Sequence, residues 1–147
     1  MTTVQIPTNT TGTESAATTT RRLGLGRATV IAAVGAAAAN LAVAAIARPA
    51  LGIDLAIQGE EIPLAGFPQL TAFFVLVGAG LAWLIGRRAA DPRRAFLRLT
   101  AALTVVSCVP SVLIDASVAT RSTLVVTHLV AAAIAVPVLA SALRPRA

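Results

Sequence analysis

Among the polar side chains inside the apolar runs of this chain, six stand out: Asn40, Ser107, Cys108, Ser111, Thr127 and His128, with Asp115 closing one run. Amides, hydroxyls and imidazole donate and accept hydrogen bonds, so their convergence could bind a small polar ligand. Ser111, His128 and Asp115 even supply the residue types of a hydrolytic triad. Their presence in one chain is read as a chance assembly. There is one histidine, one cysteine, no pair of carboxylates within the apolar runs and no metal-ligand spacing. No catalytic, cofactor-binding or metal-ligating residue is expected, and the chain is read as non-enzymatic.

The elements that must position these groups follow from composition. Of 147 residues, 56% are apolar and 12% charged, against about 25% charged in ordinary globular chains. Mean hydropathy is +0.83. A soluble domain this small could not cover itself with so little polar surface, so the expected solvent is lipid. Cys108 is the single cysteine, which excludes an internal disulfide; it reads as a small buried apolar residue.

Residues 1–20 are Thr-rich, lack apolar periodicity and are expected to form a disordered polar tail. Residues 21–147 then hold four apolar runs, at about 28–47, 68–86, 99–114 and 123–143. The first has no charge over twenty residues and would span about 30 Å as a helix, the thickness of the hydrocarbon layer. Its six Val, Ile and Leu residues supply only about −2 to −4 kcal/mol of insertion energy, so it needs neighbours. Pro68 suits the first turn of the second helix. Pro110 and Pro137 each deprive a carbonyl one turn earlier of its partner and should kink the third and fourth helices. Ala32, Ala36, Asn40 and Ala44, and likewise Gly78, Ala82 and Gly86, place small residues at spacing four, which allows close helix approach. Between the first two runs, Ile53, Leu55 and Ile57 alternate with polar or small residues before "GEE", and Ile62 and Leu64 follow. That pattern predicts a small β-hairpin lying over the helix ends.

Arginine sets the orientation. All twelve basic residues are arginine, and the loop between runs two and three holds Arg87, Arg88, Arg93, Arg94 and Arg98. With Arg21, Arg22, Arg27, Arg144 and Arg146 they put ten arginines on one side, against Arg48 and Arg121 on the other. The positive-inside rule makes the ten-arginine side cytoplasmic. The predicted class is an all-α membrane protein of the inner cell membrane: a four-helix transmembrane bundle, both termini cytoplasmic, with an extracytoplasmic β-hairpin between helices one and two. Arg87, Arg88, Arg93, Arg94 and Arg98 are its expected cytoplasmic anchor, at the level of the anionic lipid headgroups, and Trp83 and Phe96 are expected to flank them at the interface. No nucleic-acid-binding module accompanies these arginines. The "TRRLGL" and "AIA" stretches resemble a twin-arginine signal and its cleavage site, but the apolar run is long for a signal core and Pro49 follows too closely.

In such a bundle Asn40 would lie roughly 10 Å, and His128 roughly 8 Å, from the outer helix ends. Ser107 and Ser111 fall at similar depths and Asp115 ends the third run, so Asn40, Ser107, Ser111, Asp115 and His128 form a candidate polar layer. Two readings follow. The preferred one is hydrogen bonding between helices, in a protein that packs against itself or a membrane partner. The alternative is a transporter or sensor of a small polar ligand. Small multidrug exporters are of similar size, yet carry a glutamate in the first span where this chain has only Asn40.

The chain resembles the actinobacterial membrane proteins grouped as domain of unknown function 6069. The matching features are Asn40, "GIDL" at Gly52–Leu55, Pro110 and "HLV" at His128–Val130, within residues 22–143. The resemblance implies four spans and brings no biochemical activity.

Overall fold

The structure is a computed structural model and describes residues 24–144. The predicted N-terminal tail, with Arg21 and Arg22, and Arg146 lie outside the described residues. Four helices follow one another: α1 (Leu25–Leu51), α2 (Gly66–Arg88), α3 (Pro92–Leu113) and α4 (Val118–Ser141). Between α1 and α2 lie two short strands, β1 (Ala56–Ile57) and β2 (Glu60–Glu61). All four helices are long and apolar enough to cross a membrane. Their 22 to 27 residues correspond to about 33–40 Å.

Each helix overruns the apolar run that announced it. α1 continues through Pro49 and stops at Gly52, which takes the left-handed conformation (φ 61°) that glycine adopts without strain. The amides of Gly52 and Ile53 both bond the Ala47 carbonyl. α3 starts well before Leu99: Asp91 caps it by accepting from the Arg94 amide at 3.1 Å, and Pro92 occupies the first turn. The basic loop is therefore a three-residue turn, and Arg93, Arg94 and Arg98 stand on α3. Ser117 caps α4 through the Thr120 amide, so that the helix begins at Val118, five residues ahead of the apolar run. α3 and α4 both continue through their internal prolines.

α1 packs chiefly on α4 and α2, and α3 chiefly on α4, so α1 and α3 stand across the bundle from each other. The spacing-four stripe of α1 is its buried face: Ala28, Ala32, Ala36, Asn40 and Ala44 are all inside. On α2, Gly78 admits Leu139 of α4 and Gly86 admits Leu143, two residues beyond the end of α4. A methyl group on Gly86 would stand 3.4 Å from Leu143 Cδ2, and one on Gly78 would stand 3.6 Å from Leu139 Cδ1. These contacts belong to an apolar core that also holds Val75, Ala82 and Phe96. Phe96 is fully buried, which corrects its expected place at the interface. Because α3 is already helical at Pro92, Phe96 falls on the same face as Thr100 and turns inward. Trp83 stays exposed, with the Arg87 guanidinium 4.8 Å from its ring centroid.

A second, smaller core sits under the hairpin. Leu55 has no exposed surface and packs with Ala44, Ala47 and Phe67, as the alternation of the loop predicts. The turn itself falls earlier than expected. Gln58 (φ 53°) and Gly59 (φ 84°) are its two central residues, while Glu60 and Glu61 pair with Ile57 and Ala56. Two positive φ angles in a two-residue turn match the right-handed twist of the paired strands, which a turn displaced onto the glutamates would not.

Candidate functional site

Asn40 and Thr71 lie between the two apolar cores, Asn40 between Ala36 and Ala44 on α1 and Thr71 between Phe67 and Val75 on α2. Asn40 is buried, and its Nδ2 donates to Thr71 Oγ1 on α2 at 2.8 Å. Thr71 Oγ1 in turn donates to the Phe67 carbonyl at 2.6 Å. This relay joins α1 to α2 and leaves one buried acceptor, Asn40 Oδ1, without a hydrogen-bond partner.

The other members of the candidate layer are placed differently. His128 is half-buried, and its Nδ1 lies 2.7 Å from the Leu124 carbonyl one turn back on α4. A carbonyl can only accept, so this contact puts the proton on Nδ1; in the neutral ring Nε2 is then an acceptor. Thr127 Oγ1 donates to the same Leu124 carbonyl, also at 2.7 Å. Ser107 donates to Thr104 on its own helix. Ser111 is buried, whereas the Asp115 side chain is exposed. Among the described residues no hydrogen bond or ion pair joins any two of Asn40, Ser107, Ser111, Asp115 and His128. Position along an apolar run does not give a direction: Ser107 and His128 turn back to carbonyls of their own helices, and of these five residues Asn40 alone hydrogen-bonds to a neighbouring helix. The partner that sequence reasoning missed is Thr71. A threonine in an apolar helix ordinarily bonds its own backbone, as Thr71 does, and nothing in the sequence marks the one that also accepts from a neighbour. Among the described residues no group of histidine, cysteine and carboxylate side chains could hold a metal ion.

The loops opposite the basic turn are tied down by polar contacts. Arg48 Nη2 donates to the Ile62 carbonyl at 2.6 Å and stands 3.9 Å from Glu61. Thr120 Oγ1 donates to the Asp54 carbonyl at 2.7 Å, and the Gln58 amide donates to the Asp115 carbonyl at 3.2 Å. The first arginine on this side thus works as a hairpin clamp. The second, Arg121, is half-buried on the first turn of α4, its Nε buried without a hydrogen-bond partner.

The membrane face of α3 and α4 carries an open apolar groove of about 450 Å³. Leu97, Ala101 and Thr104 form one wall, and Ala132, Ala133, Val136 and Pro137 form the other.

A bundle of four helices, each long and apolar enough to cross a membrane, is that of a multi-pass membrane protein. The model of a family of unknown function, DUF6069, matches residues 19–145, and the chain belongs to that family. No curated protein and no solved structure matches the chain.

Proposed function

We propose that this is a non-enzymatic protein of the inner cell membrane, with both termini and the arginine turn in the cytoplasm and the hairpin outside. Its role in this reading is to pack against a second copy or a membrane partner. The observation that carries it is how the polar groups are used: Asn40 links α1 to α2, while His128, Thr127 and Ser107 bond their own helices. They act as structural ties in a medium that offers the backbone no water. The arginine distribution supports the orientation.

Cysteine scanning tests it. With Cys108 replaced, cysteines at Gln58 and Ser122 should react with an impermeant thiol reagent on intact cells, and one at Ala90 should not. Reaction at Ala90 alone reverses the orientation.

A second reading rests on one atom. Asn40 Oδ1 is a buried acceptor lacking a donor, and the hydroxyl or ammonium group of a small polar ligand would supply it. In that case Asn40→Ala should leave stability unchanged or raise it, because functional polar groups in lipid are held at a cost.

A further inference from the structure

The groove between α3 and α4 lies toward the arginine end of the bundle. From Leu97 to Thr104 it follows α3 for about 10 Å, most of the roughly 15 Å depth of one leaflet. Its walls are aliphatic except for Thr104, whose hydroxyl donates to the Thr100 carbonyl at 2.8 Å. Arg93 and Arg94 precede Leu97 by four and three residues, spacings that share a helix face, and both are exposed. Arg98 stands one turn further along and is exposed, as is Arg144 beyond the end of α4. Among the described residues of this end Asp91 is the one carboxylate, and it pairs with Arg94 at 3.2 Å. An open apolar groove that covers about two thirds of a leaflet's depth, with exposed arginines at its end, is complementary to one kind of molecule.

We infer that this groove is a binding site for an anionic phospholipid, one acyl chain along the groove and the headgroup phosphate among Arg93, Arg94 and Arg98. The proposal deepens the anchoring role given to these arginines and does not depend on which side of the membrane they face. Reversed labelling in the cysteine scan would overturn the orientation and leave the groove intact. The site differs from general attraction to a charged surface because it needs the groove as well as the charge.

The test uses the full chain purified in mild detergent. It is mixed with phosphatidylglycerol or phosphatidylcholine of identical chains, and retained lipid is counted by native mass spectrometry. Wild type should retain the anionic lipid at least tenfold better. Arg93→Gln and Arg98→Gln should each weaken that retention about five-fold, the ratio given by the attraction of one basic side chain to an anionic surface. Arg27→Gln removes the same charge from α1, across the bundle, and should change it less than two-fold. Ala133→Phe fills the groove and should abolish retention while the arginines remain. Circular dichroism and thermal unfolding accompany each variant, and Ala101→Leu serves as a second groove-filling variant if Ala133→Phe fails to fold. Equal retention of the two lipids overturns the proposal. So does undiminished retention with the groove filled, or an Arg27→Gln loss as large as that of Arg93→Gln. A second copy of the chain in the groove, seen as a dimer lost in Ala133→Phe with no bound lipid, also overturns it.

Discussion

At the hairpin end, four hydrogen bonds join segments distant in the chain: Asn40 to Thr71, Arg48 to Ile62, Gln58 to Asp115 and Thr120 to Asp54. At the arginine end the ion pair Arg94–Asp91 spans three residues, and Arg87 lies over Trp83, four residues earlier. One end is held by directed contacts that fail if a single partner moves. The other is held by apolar packing around Phe96 and by exposed charge. Directed contacts fix the register of helices, whereas exposed charge fixes which medium an end must occupy. The two ends should therefore respond to mutation in opposite ways.

The largest effect is expected at Leu55. Its side chain fills the small core beneath the hairpin with no exposed surface, so Leu55→Ala should cost about 2–5 kcal/mol in denaturant unfolding in detergent. Faster hydrogen exchange should be confined to the hairpin and the adjoining helix ends. Exchange rising equally at the arginine end would erase the contrast.

Next come Asn40 and Thr71. Asn40→Ala and Thr71→Ala should each lose about 0.6–2 kcal/mol, as interhelical hydrogen bonds in lipid do, and the double mutant should lose less than the sum. Paired with His128→Ala, Asn40→Ala should be additive, since no hydrogen bond joins the two. Strong coupling of Asn40 to His128 would restore a common polar site.

The smallest stability effect belongs to the arginine end. Arg93→Gln with Arg98→Gln should stay within about 0.5 kcal/mol of wild type, although the same pair should shift the ratio of the two orientations in cells. A stability loss at the level of Leu55→Ala would make these arginines structural.

The sequence carried the bundle clearly, because apolar length and the small-residue stripe of α1 obey simple periodicity. Ala32, Ala36, Asn40 and Ala44 were expected to allow close approach, and all four are buried. Leu55 could be placed under the hairpin from alternation alone. Phe96 could not be placed so well. A run of arginines reads as a loop, while a cap at Asp91 and a proline at the first turn make it a helix and carry Phe96 into the core. The candidate layer was drawn from positions counted along the apolar runs, and the helices extend beyond those runs. Which way each group faces depends on helix rotation, and the choice between a neighbour and a helix's own carbonyl is settled by tenths of an ångström that no pattern of residue types encodes.

The bond from Thr120 to Asp54 joins residues 66 apart in the chain. It ties the first turn of α4 to the hairpin joining α1 and α2, and can form only once the start of α4 stands beside the end of α1. Loop-closure entropy sets its cost, and a contact made after the rate-limiting step acts on the rate of unfolding alone. Thr120→Val, which keeps the shape and removes the donor, should therefore speed unfolding in micelles and leave refolding almost unchanged. Slower refolding of that variant would mean the contact forms early. With refolding unchanged, the hairpin is a latch in kinetic terms: it governs how long the bundle stays closed, and has little say in how quickly it closes.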